Sequence, residues 1–166
     1  MNQKAKFYIE KLDLKPHPEG GYYKEIYRSA ESIIIPDYTL NRKKQRNFST
    51  SIYFLLEGND KSHFHKLTSD EIWHFYDGSD IKIILLDELG NLTEVILGKE
   101  AHCFQYTIKK NLWFAAELID KKSFALIGCT VSPGFEFEDF ELADRNYLLS
   151  LFPQHEKIIK KFTRNN

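Results

Sequence analysis

The sequence predicts an all-β fold, a jelly roll or closed barrel set between short N- and C-terminal helices. Three observations predict it. Short β-branched and aromatic runs follow one another, each ended by a turn signal. Aromatic residues make up 14%, with 13 Phe and 9 Tyr, as suits rings packed on pleated surfaces. Between residues 20 and 141 no stretch carries the helical spacing that the crossovers of a parallel sheet require.

Ala5, Tyr8, Ile9 and Leu12 recur at intervals of three and four, which predicts an amphipathic helix over 3–12, ended ahead of Pro16 and Pro18. Gly20-Gly21 then opens a strand from Tyr22 to Arg28. The basic run Arg42 to Arg46 reads as a solvated loop. Phe48 to Leu56 reads as a strand closed by Glu57-Gly58-Asn59-Asp60, and Glu71 to Tyr76 as one closed by Asp77-Gly78. Ile81 to Leu86 and Leu92 to Leu97 flank a hairpin turn. Phe104 to Ile108, Trp113 to Leu118 and Phe124 to Val131 follow at similar spacing, and Phe135 to Glu138 alternates as a half-exposed strand does. Leu142, Tyr147, Leu148 and Leu151, then Ile158, Ile159 and Phe162 beyond Pro153, predict two terminal helical turns. No linker or repeat divides the chain, so residues 1–166 are expected to form one domain.

A net charge of −1 supplies no global field for nucleic acid or an anionic membrane. Two cysteines, Cys103 and Cys129, are too few for a disulfide framework. With a polar opening and no signal peptide, they point to a cytoplasmic protein. No nucleotide-cofactor motif is present.

The stretch Gly58 to Gly78 carries the chemistry. His63 and His65 are two apart on a strand, so alternation predicts that both leave one face. Glu71 follows after a short loop. Two imidazoles and a carboxylate form a set suited to divalent iron, manganese, nickel or zinc, and equally a set of acid–base groups. His74 is out of phase with Glu71, and His17, His102 and His155 fall in expected loops without a role.

This stretch resembles the first signature of the cupin superfamily: glycine, His-x-His, glutamate, then six residues and a glycine, here Gly78. The second cupin signature supplies a histidine after a Pro-x-Gly turn. Lys109 and Asn111 replace that proline and glycine, and the ligand position falls on Phe114. More narrowly, the chain is similar to an uncharacterised RmlC-like branch numbered as the fifth cupin family. The similarity rests on His17 to Tyr23, Thr50 to Leu56, Asp70 to Gly78, Trp113 to Leu118 and Gly128 to Ala143. It implies a double-stranded β-helix that pairs as a homodimer.

Three functions stay open. The first is an enzyme acting on a small polar metabolite, with a divalent metal at His63, His65 and Glu71, and with Arg46, Gln105, Glu19 and Arg28 holding the substrate. The second is a metal-free sugar or sugar-nucleotide epimerase or isomerase, with His65 as base and Tyr23 or Tyr53 as acid, by analogy of fold. The third is a non-catalytic small-molecule binding module.

Overall fold

The computed structural model describes residues 2–37 and 42–164. Helix α1 (Gln3–Lys11) precedes strands β1 (Lys15–Pro16), β2 (Tyr22–Arg28), β3 (Ser32–Asp37), β4 (Arg42–Asn47), β5 (Thr50–Glu57), β6 (Lys61–Leu67) and β7 (Asp70–Gly78). Strands β8 (Ile81–Leu86), β9 (Leu92–Leu97), β10 (Gln105–Ile108), β11 (Trp113–Leu118), β12 (Phe124–Ser132) and β13 (Phe140–Leu142) follow, then helices α2 (Arg145–Leu151) and α3 (Glu156–Phe162). All strand pairs are antiparallel. One sheet runs β1-β2-β5-β12-β7-β10 and the other β13-β6-β11-β8-β9, with β3-β4 as a separate hairpin. This is the jelly roll expected, with the helices outside.

Period-two alternation explains the layers. Phe54 and Leu56 of β5, Ile127 and Cys129 of β12, and Phe114 and Ala116 of β11 point between the sheets. The intervening residues are buried as well. Leu55, Phe124 and Leu126 meet α1, while Ile84, Trp113 and Ala115 meet α2 and α3. The central strands therefore read as unbroken apolar runs rather than alternating ones. The helix ends are capped by side chains: Asn2 Oδ1 accepts from Lys4 N at 2.9 Å, and Asp144 Oδ1 from Tyr147 N at 2.7 Å.

Two sequence expectations are corrected. The 42–46 run is not a solvated loop but strand β4, paired with β3 residue by residue from Ser32↔Asn47 to Asp37↔Arg42. Arg46 is buried, ion-paired with Asp139 and Glu138. The 135–138 segment is not a strand. It turns at Phe137–Asp139, where Asp139 N donates to Glu136 O at 2.9 Å and the Asp139 carboxylate is drawn to Arg46 and Lys44. Pairing with β6 resumes only at β13.

Candidate active site

A cavity of about 140 Å³ opens at one end of the barrel. Its walls come from the loop 17–20, strand β2, the inner faces of β5, β6, β7 and β12, and the segment 135–140.

Strand β7 supplies Glu71 and Trp73 through plain alternation, both pointing inward and both buried. Across the ladder Cys129 stands opposite Trp73, and Val131 opposite Glu71. Burial pushes the Glu71 carboxyl up to about 7, and nearby Trp73 and Cys129 moderate the shift. Neither closes a hydrogen bond on Glu71 Oε2, which is buried without a partner, as is Trp73 Nε1.

Strand β6 behaves differently. Phe114 of β11 faces His65, while Ala116 faces Ser62, so the register slips by one residue between them. This bulge puts Ser62 and His65 on the inner face and ends the alternation that would place His63 beside His65. His63 does not line the cavity. Its N–H and its ring Nδ1 both meet the Glu19 carbonyl, at 2.9 and 2.6 Å, and so hold the 17–20 loop. Gly20 makes this approach possible: its φ is +115°, and a Cβ there would lie 2.1 Å from the Lys61 carbonyl oxygen.

That loop delivers Glu19 into the cavity. Ser62 Oγ donates to Glu19 Oε1 at 2.8 Å, and Glu19 Oε2 lies 3.0 Å from His65 Nε2. His65 Nδ1 is 2.8 Å from the His63 carbonyl, so Nδ1 carries a hydrogen and donates it. On a neutral ring Nε2 is then a lone pair, and one proton must sit between it and Glu19 Oε2. Burial drives the imidazole down to about 3. Burial, and then the charge of Glu71, drive the Glu19 carboxyl well above its ordinary range. Both shifts favour the neutral form of the pair. His17 accepts from Glu19 N–H through Nδ1 at 3.3 Å, and burial lowers it to about 4.

The other expected site residues divide. Tyr23 lines the cavity with its ring edge-on to His17, 4.5 Å between centroids. Arg28 stands at the mouth, bound by Glu25 and Glu136. Tyr53 leaves the opposite face of β5, against the α1 layer and Tyr76, because alternation sends Ile52 and Phe54 inward. Arg46 is consumed by its acidic partners outside the cavity. Gln105 is exposed at the start of the edge strand β10, opposite His74. The sequence reading missed His17, Trp73 and Cys129, and gave no role to Phe135, Phe137 and Phe140 at the mouth. Trp73 was findable, being two residues from Glu71 on a regular strand. His17 was not, because it reaches the cavity from a loop.

The expected metal set does not fit. Among the described residues no three His, Cys, Asp or Glu side chains converge as ligands. His63 is turned away, both nitrogens of His65 are engaged, and the Phe114 ring packs 3.9 Å from the His65 ring at the position of a fourth ligand. Asn111, in the place of the second signature's glycine, adopts a left-handed conformation with φ 64°.

Comparison with known proteins agrees with this architecture. No curated protein matches the chain. The crystal structure of a Shewanella oneidensis protein is 36% identical, covering 100% of this chain and 99% of that one, with a TM-score of 0.86. A hypothetical protein from Leishmania major is 32% identical, covering 97% and 99%, also at 0.86. Bacillus subtilis oxalate decarboxylase, a protein with Mn(II) centres, shares the fold at 12% identity and a TM-score of 0.56, the chain spanning 39% of its length. The family model described as "Cupin superfamily (DUF985)" matches residues 6–143, and the chain belongs to that family.

Proposed function

We propose that the chain is a metal-free proton-transfer enzyme, an isomerase or epimerase acting on a small carbonyl compound. The observation that carries this reading is the Glu19–His65 pair: two buried groups 3.0 Å apart that share one proton, with the imidazole tautomer fixed by the His63 carbonyl. In its neutral form the pair can act at both ends of a substrate. The protonated Glu19 carboxyl gives its proton to the carbonyl oxygen, and the lone pair this frees on His65 Nε2 takes a proton from the carbon beside the carbonyl. The C–H electrons become the C=C bond of an enol, and the pair is left as carboxylate and imidazolium until the protons return. Reversal at the neighbouring carbon, or at the other face, yields an isomer. A cavity of about 140 Å³ suits a compound of roughly six to eight non-hydrogen atoms.

The test is loss of α-C–H signals from hydroxyketones and 2-oxo compounds in deuterated water, followed by proton NMR. Wild type is expected to catalyse exchange, and His65→Asn and Glu19→Gln to slow it by about 10²–10⁴-fold while remaining folded. Exchange undiminished in both variants refutes the reading. Tight binding with no exchange in wild type favours the binding module instead. Stoichiometric uptake of manganese, iron, nickel or zinc by untagged protein, abolished in His65→Ala, favours the metal enzyme.

A further inference from the structure

The cavity holds one donor and one acceptor that the protein leaves unsatisfied. Trp73 Nε1–H is buried with the Glu71 carboxyl near enough to lower its titration but not at hydrogen-bonding geometry, and Glu71 Oε2 is buried without a partner. Both belong to the inner face of β7, two residues apart, and both side chains line the cavity. Buried polar groups are nearly always paired, so two neighbouring orphans on side chains that line one space point to a group brought from outside. That group must accept from an indole and bond to a carboxyl at the same time. A hydroxyl does both, because it carries one hydrogen and two lone pairs. An ammonium cannot accept from Trp73, and a carboxylate or phosphate oxygen meets a like charge with nothing to donate to it once Glu71 ionises.

The charges around the cavity narrow the ligand further. Glu19 and Glu71 are both withdrawn from water inside it, and burial keeps His17 and His65 uncharged. Among the described lining residues the one Lys or Arg is Arg28. Its guanidinium is spent: Nε and Nη2 donate to Glu25 at 3.0 and 2.8 Å, Nη1 to Asn47 and Glu136 at 2.9 and 2.6 Å, and Nη2 also to the Phe135 carbonyl at 3.1 Å. An anion entering this space meets two buried carboxyl groups and no free cation. Most of the remaining wall is apolar, rings such as Phe54, Trp73, Phe135 and Phe140 together with aliphatic side chains, which suits the C–H faces of a small carbon skeleton.

We infer that the cavity selects a small uncharged hydroxycarbonyl compound, seats one of its hydroxyls between Trp73 Nε1 and Glu71, and rejects the phosphorylated or carboxylated counterpart. The inference rests on the proton-transfer reading only for orientation, with the carbonyl end toward Glu19 and His65. Hydroxyl recognition itself is an equilibrium property.

The experiment is calorimetric titration of the full chain with hydroxyacetone, dihydroxyacetone and erythrulose, and in parallel with dihydroxyacetone phosphate and glycerate. The uncharged set is expected to bind at least tenfold more tightly than the anions. Trp73→Phe keeps the ring and removes the donor, and is expected to weaken dihydroxyacetone about tenfold. Glu71→Gln keeps both a donor and an acceptor and is expected to bind within about threefold of wild type, whereas Glu71→Leu loses tenfold or more. The inference is overturned if the anions bind as tightly, if Trp73→Phe and Glu71→Leu bind as wild type does, or if no member of the uncharged set binds at millimolar concentration. Selective binding without α-C–H exchange removes the proton-transfer reading and leaves the hydroxyl site standing.

Discussion

Two clusters of ionisable side chains withdrawn from water in this barrel, one beside the cavity and one inside it, have their charges balanced in opposite ways. Outside the cavity, Arg46 and Lys44 from β4 close on Asp139 and Glu138, so each buried charge meets its opposite. Burial alone would raise the Asp139 carboxyl, but hydrogen bonds from Arg46 and Lys44 override it and hold it below its usual range. Inside the cavity, Glu19 and Glu71 have no cation between them and both are pushed upward. The first cluster fastens the β3–β4 hairpin to the turn before β13 and has nothing left to offer a ligand. The second is held in an unstable charge balance by the fold around it, which is the condition a proton-transfer site needs.

Removing one side of the balanced cluster is expected to have the largest effect on stability. Arg46→Ala leaves Asp139 buried with Lys44 as its remaining cation, at a cost of roughly 3 kcal/mol. Urea denaturation measures this, and dihydroxyacetone binding to the folded fraction is expected to be unchanged. Because Asp139 titrates below its unfolded value, its contribution is present above the unfolded pKa and lost as pH falls through the folded one. If Arg46→Ala melts with wild type but binds dihydroxyacetone tenfold more weakly, the two clusters are not separate, and Arg46 returns to the substrate role that sequence alone assigned to it.

The unbalanced cluster titrates with the other sign. Glu71 is raised from 4.5 to about 7, so between those values the native state keeps a proton that the unfolded chain has released. Its contribution is therefore full below about pH 4.5 and is lost as pH rises through 7, a change of roughly 3 kcal/mol at most. His17 and His65 are lowered to about 4 and 3, so they act oppositely: acidification below 6.5 protonates the unfolded chain first. The two effects offset each other in wild type. Glu71→Gln removes one of them, and its melting temperature is expected to climb relative to wild type as pH rises from about 4.5 to 7. A difference that stays constant across that range would mean that Glu71 is ionised throughout and that the cavity is not desolvated.

The parts of the site on regular strands were legible in the sequence, and the parts on irregular backbone were not. Alternation along β7 places Glu71 inward from its spacing to Gly78, and the apolar runs of β5, β11 and β12 announce a core covered on both faces. The same rule misplaces His63, because it assumes one residue per rung and β6 gives three residues to two of β11. Glu19 was a substrate-binding candidate, but its partner His65 lies 46 residues away in sequence, and only the Gly20 approach to β6 brings them together. The β3–β4 hairpin was hidden by its charge: a run of Arg and Lys looks solvated until Asp139 and Glu138, nearly a hundred residues later, are known to meet it.

Arg28 lies between the two clusters and gives the smallest expected effect. It lines the cavity mouth, but its side chain is 33% exposed and its ion pairs with Glu25 and Glu136 face water. Pairs of this kind contribute about 0–1 kcal/mol and weaken with salt. Arg28→Gln is therefore expected to lower stability by less than about 1 kcal/mol, with most of the difference gone at molar salt. It should leave the preference for dihydroxyacetone over its phosphate where it was, since the guanidinium is already committed to carboxylates and to the Phe135 carbonyl. A tenfold loss of phosphate binding in Arg28→Gln, measured by the same calorimetry, would show that Glu25 and Glu136 release the guanidinium when an anion arrives. The cavity would then carry a usable cation at its mouth, and its contrast with the Arg46 cluster would be one of depth rather than of charge.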